Sequence, residues 1–424
     1  PAKLIYDRDD DFILTGKRHD FQISYKVGFE DNGLINSVIV DQAMRCGMSW
    51  DLSEAIAARA MCHAENSYFI KNMRITSHRL KTNTQSNTAF RGFGGPQGIV
   101  GMERVIDHVA HHLDIDPLLV RERNFYPHKT SATHGITPYG QTVHDCIIQD
   151  IISELKKTSN YLERRKDIEK FNQNNDFLKR GIALTPVKFG ISFNASFLNQ
   201  AGALLHIYND GSVYLNHGGT EMGQGLNTKI AQVVANEFQL SLDKIKITAT
   251  STGKVPNTSA TAASSGTDLN GMAAKNAAEK IKFRMAEYLA AEAQIKPNQV
   301  TFENGKVAVG VNEYDFSDAV MRCYMGRISL SATGFYSTPK VHWDPKTLKG
   351  RPFYYFAYGA ACSEVALDLL TGENRILRTD ILHDVGRSLN PAIDIGQIEG
   401  GYIQGAGWLT TEELVWDSKG KLLT

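Results

Sequence analysis

The sequence has little cysteine: Cys46, Cys62, Cys146, Cys323 and Cys362 are the only five in 424 residues. They are far apart, odd in number and without a CxxC or other ligand spacing, which argues against a zinc ribbon or a cysteine-held iron–sulfur cluster in this segment. Scattered thiols fit a reducing compartment, so a cytoplasmic location is expected. No apolar run approaches the ~18 residues of a membrane span, and the opening Pro1-Ala2-Lys3-Leu4 lacks a signal-peptide pattern. No membrane partner is expected. Nor is there an excess of either charge: 46 Lys+Arg face 46 Asp+Glu, so no net field favours nucleic acid. Low-complexity tracts and a fixed-period repeat are also missing. What remains is the composition of a folded protein, 42% hydrophobic and 22% charged with 36 Gly. At ~150 residues per domain, the length corresponds to roughly two to three domains. The first residue is Pro rather than Met, and the sequence is expected to begin inside a longer polypeptide.

Alternation from Phe21 to Val27, then Asp31-Asn32-Gly33 and Leu34 to Val40, predicts a β-hairpin. From Asp51 the period changes: Leu52, Ile56 and Ala60 follow helical spacing, Glu54 stands three residues after Asp51 as in a capping box, and the helix carries Arg59. A second helix is expected from Pro96, with Ile99, Met102, Val105, Ile106, Val109 and Leu113 as its apolar stripe. Residues 129–180 contain turns and then a charged helical run, 155–180, which reads as a connector, so a domain boundary is placed near residue 128. Beyond it come a strand pair about Asn209-Asp210-Gly211, a helix with Ile230, Val233, Val234 and Phe238 on one face, and a long helix from Asn270 to Gln294. Hairpins are expected at Asn304-Gly305 and Thr371-Gly372. Hairpins mixed with separate helices give an α+β fold class.

Four words combine Gly with polar side chains: Arg91-Gly92-Phe93-Gly94-Gly95-Pro96-Gln97-Gly98, Gly218-Gly219-Thr220-Glu221-Met222-Gly223-Gln224-Gly225, Thr261-Ala262-Ala263-Ser264-Ser265-Gly266 and Gly396-Gln397-Ile398-Glu399-Gly400-Gly401. Each is expected at or near a helix start. Bare Cα atoms and unpaired amides there can cradle an anionic or carbonyl-rich ligand, and several such loops together would suit a large polar cofactor. Tight turns and helix caps use the same residues. No word matches GxxxxGK[ST] or a GxGxxG after a strand, so a nucleotide phosphate has weak support. One Arg-Gly-Phe-Gly-Gly run in a neutral chain is a poor case for RNA binding. His108 and His112 have the i, i+4 spacing of a zinc pair but lie opposite the apolar stripe, with no Glu after His108. The acidic run Asp7-Arg8-Asp9-Asp10-Asp11 lacks the Gly and Glu of a calcium loop and reads as a solvated turn.

The run Ser86-Asn87-Thr88-Ala89-Phe90-Arg91-Gly92-Phe93-Gly94-Gly95-Pro96-Gln97-Gly98, with Lys188-Phe189-Gly190-Ile191-Ser192-Phe193, the word at 218–226 and Ser388-Leu389-Asn390-Pro391-Ala392-Ile393-Asp394-Ile395-Gly396-Gln397, resembles the molybdenum-cofactor domains of the xanthine dehydrogenase family from end to end. The resemblance implies two elongated mixed α/β lobes, one in residues 1–128 and an incomplete second in 129–424. It also implies a molybdenum ion held by molybdopterin, and hydroxylation of hypoxanthine and xanthine to urate with water as the oxygen source. Electrons would leave through 2Fe-2S and FAD domains or subunits to NAD, and the complete enzyme would be a homodimer. A metal carried by its own dithiolene needs no protein thiolate, in keeping with the scattered cysteines.

Residue by residue, the resemblance assigns Arg59 to the substrate, where a guanidinium can stabilise charge developing on a purine; aldehyde-preferring relatives tend to have an apolar residue there. Phe93 and Phe193 match the two aromatics that sandwich the ring. Asn194 stands where vertebrate members have Thr; both can hydrogen-bond a substrate carbonyl, but Asn is longer and planar. Arg91 and Ala263 match residues at the metal, Gln224 and Gln397 the pterin-contacting glutamines, and Ser264 and Ser265 lie among the cofactor hydrogen bonds.

The family's Gly-Gly-Phe-Gly-Gly-Lys-Glu word, whose Glu contacts substrate, would precede Pro1, and its Gly-Glu word, whose Glu is the catalytic base, would follow Thr424. No catalytic base is therefore expected in this chain, and the chain alone is expected to be inactive, since general-base assistance is worth ~10² to 10⁴ in rate. The alternatives are an aldehyde oxidase-like hydroxylase and a cofactor-less scaffold within a larger complex.

Overall fold

Asp7 accepts the Asp10 amide at 2.8 Å and so caps a short helix, α1 (Arg8–Leu14), with three acids in its first turn. The expected solvated turn is helical because these acids complement the positive end of the helix dipole. The computed structural model describes residues 3–248 and 258–423. Contacts divide the chain into two units. Unit one is Pro1–Gly190, His342–Gly386 and Ile398–Thr424; unit two is Ile191–Val341 and Arg387–Gln397.

In unit one the expected hairpin forms as β1 (Phe21–Phe29) against β2 (Ile35–Gly47), with Phe21 opposite Met44. The helix carrying Arg59, α2 (Ser53–Cys62), is the crossover to β3 (Asn72–Lys81), which pairs parallel with β2. The capping box does not form. Leu52 is the N-cap and gives no side-chain bond, whereas Asp51 takes a positive φ of 39° and its carboxylate accepts from the Thr88 hydroxyl. Helix α3 (Gly95–Leu113) buries Met102, Val105, Ile106 and Val109 against Ile35, Val38 and Val40 of the sheet. His108 meets the Tyr25 hydroxyl, and His112 stands edge-on to Phe29 at 5.6 Å.

After α4 (Pro117–Asn124) and the small pair β4 (Gly135–Ile136) and β5 (Thr142–Val143), the run expected as one charged helix is two helices and a strand. These are α5 (Ile148–Thr158), α6 (Tyr161–Gln173) and β6 (Leu178–Ile191). Asn160 at φ 53° breaks the helical run, since the left-handed conformation cannot continue it.

Unit two is a four-stranded sheet covered by long helices. The strands β7 (Gln200–Ile207) and β8 (Val213–His217) form the expected pair, followed by α7 (Leu226–Phe238) and β9 (Ile245–Ile247), which is parallel to β8. Helix α8 (Gly266–Glu292) buries Ala273, Ala274, Ala277 and Ala278, small residues that let a helix lie close on a sheet. A three-stranded sheet of β10 (Val300–Glu303), β11 (Lys306–Val309) and β12 (Asn312–Asp315) contains the Asn304-Gly305 hairpin and leads into α9 (Phe316–Met325). The strand β13 (Ser331–Ser337) then closes the order β13-β7-β8-β9.

The chain returns to unit one through β14 (His342–Asp344) and β15 (Lys349–Arg351), then the hairpin β16 (Tyr355–Asp368) and β17 (Asn374–His383), which joins β6 in the order β17-β16-β6. The last helix, α10 (Pro391–Thr410), contains the fourth Gly word in its interior, not at its start. Pro391 supplies the start instead, with Asn390 Oδ1 accepting the Ile393 amide at 3.2 Å. The architecture is the expected mixture of helices with mainly antiparallel sheets. Among the described residues, no helix is long and apolar enough to cross a membrane.

Candidate functional site

In unit one the word at 91–98 is shaped by its contact with α2. A β-carbon on Gly94 would stand 2.2 Å from the Ile56 carbonyl oxygen, and one on Gly98 2.3 Å from that of Ala60. Glycine therefore lets the start of α3 rest on the backbone of the helix that carries Arg59. Between these glycines and Gly92, Phe93 takes φ 52° and packs on Met44, Cys46, Ile56 and Ala57. Arg91 is exposed, and its guanidinium lies 3.5 and 3.6 Å from where β-carbons would stand on Gly400 and Gly401 of α10.

Arg59 is only 3% exposed. Its guanidinium lies over the Phe189 and Phe353 rings, 5.0 and 5.1 Å from their centroids, and donates to the Gly190 carbonyl. One helical turn on, His63 donates from Nδ1 to the Arg59 carbonyl at 2.8 Å and accepts the Gly190 amide at Nε2 at 3.0 Å. Both backbone groups of Gly190 are thus held by α2 and its C-cap, and this pairing requires neutral His63 with its proton on Nδ1. Burial lowers the Arg59 pKa to about 10, which leaves it charged at neutral pH. Burial, then the Arg59 charge, holds His63 well below its ordinary value of 6.5.

Below pH ~6.5, the unfolded chain takes up a proton at His63 and the folded chain does not. His63 should therefore contribute up to about 1.4 kcal/mol of lost stability per pH unit as pH falls from 6.5 towards its folded value. Urea unfolding of wild type and His63→Gln between pH 7 and 5 checks this: the wild type should have the steeper fall. Equal slopes would mean that His63 is protonated in the folded state.

In unit two the words at 218–225 and 261–266 meet. The Thr220 amide donates to Thr261 Oγ1 at 2.8 Å, and the words end at the starts of α7 and α8. Ala263 and Ser264 both take φ 57°, a conformation costly for non-glycine residues that accumulates at functional loops. Ser265, 3% exposed, is the N-cap of α8. Gln224 accepts the Met222 amide and donates to the Thr220 carbonyl at 2.9 Å. Residues 387–397, including Gln397, also belong to this unit and pack on α7. Phe193 packs on the unit-two core, preceded by Ser192 at φ 141° and followed by half-buried Asn194.

Two further residues organise this unit, and sequence reasoning passed over them. Glu221 accepts the amides of Gly223, Gly225 and Asn227 at 2.9, 3.0 and 3.0 Å. Burial opposes its charge, but these amides outweigh the opposition and hold the carboxyl below its usual range. The signal available was an acid in a Gly-rich turn before a helix. Asn199, 1% exposed, accepts the Phe193 amide at 2.8 Å and donates to the Phe193 carbonyl at 2.9 Å, a contact no local pattern announces.

A pterin-borne metal fits unit two on two observations. Asn270 Oδ1, in a residue 3% exposed beside Gly219, has no hydrogen-bond partner among the described residues. The start of α8 also lacks a side-chain cap, and an anionic group is favoured at such a helix start. Among the described residues no group of three His, Cys, Asp or Glu is arranged to hold a metal ion.

Residues 1–125 and 154–424 each match a family model described as a molybdopterin cofactor-binding domain. The chain is 47% identical over 416 residues to a xanthine dehydrogenase of Oryza sativa subsp. japonica, covering 98% of this chain and 29% of that protein. It is 46% identical over 424 residues to a xanthine dehydrogenase/oxidase of Gallus gallus, covering 100% and 30%. The chain thus spans about three-tenths of the length of these curated relatives. In fold it resembles quinoline 2-oxidoreductase from Pseudomonas putida 86, with a TM-score of 0.86 at 21% identity over 99% of this chain and 54% of that one. It also resembles a Cu,Mo-CO dehydrogenase, with a TM-score of 0.85 at 20% identity over 99% and 54%.

Proposed function

This chain belongs to the family of molybdopterin cofactor-binding domains, and from that premise we propose that it is the molybdenum-binding part of a xanthine dehydrogenase, hydroxylating hypoxanthine and xanthine to urate. The observation that carries the reading is the meeting of two backbone-rich words at the starts of α7 and α8, with consecutive left-handed Ala263 and Ser264. When bound, molybdopterin supplies a metal centre for hydroxylating an electron-poor ring carbon with water as the oxygen source.

This chain's residues bind and orient. In this reading Gln224, Ser264, Ser265 and Gln397 hold the pterin, and Ala263 and Arg91 border the metal. Phe93 and Phe193 fix the plane of the purine, and Asn194 bonds a ring carbonyl. Arg59 opposes the negative charge that develops on the ring. The division near residue 128 separates two cofactor-binding domains, supported by family-model matches that leave a gap between 125 and 154. The whole protein also includes 2Fe-2S and FAD domains or subunits, uses NAD and is a cytoplasmic homodimer.

One observation favours a second reading, an aldehyde-oxidising hydroxylase. The Arg59 guanidinium is already engaged by Gly190 and two phenyl rings, as a purely structural arginine would be. Both readings are tested by purifying the full-length protein and measuring molybdenum, pterin and turnover. About one molybdenum and one pterin per protomer, with urate formed from xanthine faster than acid from benzaldehyde, is the expected result. Neither metal nor pterin above a control protein would refute both, and a reversed activity ratio would favour the second.

A further inference from the structure

We propose that Lys229 latches a strap, residues 387–397, onto α7, and that this latch sets Gln397 against the cofactor words of unit two, making Lys229 and Asp394 positioning residues for molybdopterin. The inference rests on the reading of unit two as a molybdopterin site. The strap's sequence neighbours on both sides, His342–Gly386 and Ile398–Thr424, cluster with unit one, while Arg387–Gln397 alone joins unit two. Something local must hold it there.

Leu389 and Ile395 do little of this, because they are 44% and 59% exposed. The polar contacts are specific. Lys229 pairs with the Asp394 carboxylate, and their side chains are only 16% and 14% exposed. The Ser388 hydroxyl donates to the other carboxylate oxygen. Gln232, on the same face of α7 three residues after Lys229, donates to the Leu389 carbonyl at 3.1 Å and accepts from Asn390 Nδ2 at 3.4 Å. Ile393 fills the space over Gly225, where a β-carbon would come within 2.6 Å of it and φ is 73°.

Lys229 is also out of place by helix rules. It stands near the start of α7, where the helix dipole disfavours a cation; Glu221 already caps the amides there, and the Asp394 carboxylate pairs with the ammonium directly. Gln224 lies just before α7. Gln397 follows Asp394 by three residues, so both fall on one face of α10. One ion pair between residues 165 apart therefore links the elements that carry the two pterin glutamines.

The test uses the full-length protein as wild type, Lys229→Met, Asp394→Asn, and the swap of Lys229→Asp with Asp394→Lys. Hydrogen exchange at the amides of 388–396 and molybdenum and pterin per protomer are measured, with protection across α8 as the folding control. Each single variant should exchange at least tenfold faster in 388–396 and lose threefold or more of its cofactor, with α8 protection kept. The swap should recover at least half of both. Unchanged exchange in the single variants overturns the latch. Faster exchange with wild-type cofactor content, or loss only in step with α8 protection, overturns the positioning role. A wild type with neither molybdenum nor pterin refutes instead the reading of the site on which this rests.

Discussion

Arg59→Met in the full-length protein is expected to lower kcat/KM for xanthine by about 10²- to 10³-fold, the range for removing one preorganised group that opposes charge developing in the transition state. The same substitution should lower kcat/KM for benzaldehyde less than about tenfold, because an aldehyde has no distal ring oxygen on which that charge accumulates. The aldehyde is needed as a reference because Arg59 also has structural contacts. It ties the Gly190 carbonyl to α2 and fills the space between Phe189 and Phe353. Met is chosen because an unbranched thioether packs well against aromatic rings, so α2 keeps its position. Equal losses on the two substrates would remove Arg59 from the substrate role and leave it as a brace.

The second large effect lies beneath the same helix. Lys188 Nζ pairs with Glu65 Oε1 at 2.9 Å, with side chains 1% and 0% exposed, and the ammonium sits over the Phe356 ring at 4.3 Å. Burial pushes the Glu65 carboxyl up, against the opposing charge of Lys188. Lys188→Met removes that opposition and leaves a buried carboxyl that must either protonate or remain an uncompensated charge. Such losses cost about 3–5 kcal/mol. Urea unfolding should show an unfolding free energy lowered by that amount, and Glu65→Leu combined with Lys188→Met should recover most of it, since a matched apolar pair leaves no charge behind. A double variant as unstable as Lys188→Met alone would mean that packing by the lysine stem, rather than the ion pair, sets the cost.

Several elements were legible because their signals are local. The Asn32-Gly33 hairpin, the stripe of α3 and the Asn209-Asp210-Gly211 turn depend on residues within a few positions of one another. Where the structure departs from these expectations, the cause is a distant partner at some sites and local capping or backbone conformation at others. Asp51 has the spacing of a helix cap but turns to Thr88. The acidic run 7–11 has the composition of a solvated turn but starts a helix. The run 155–180 has helical composition throughout, yet a left-handed Asn160 and a strand paired with β16 divide it. The word at 396–401, expected at or near a helix start, lies inside α10.

The sequence by itself determined the family and the α+β class, because the words that carry the resemblance are unbroken runs whose chemistry lies in their own backbone and side chains. Only the tertiary structure decided what holds those words. Arg59 and His63 clamp a glycine more than a hundred residues away, and Lys229 meets Asp394. These pairings join positions up to 165 residues apart. A hydrogen bond or ion pair depends on distance in space, and at such separations chain order leaves that distance unset until the core has packed.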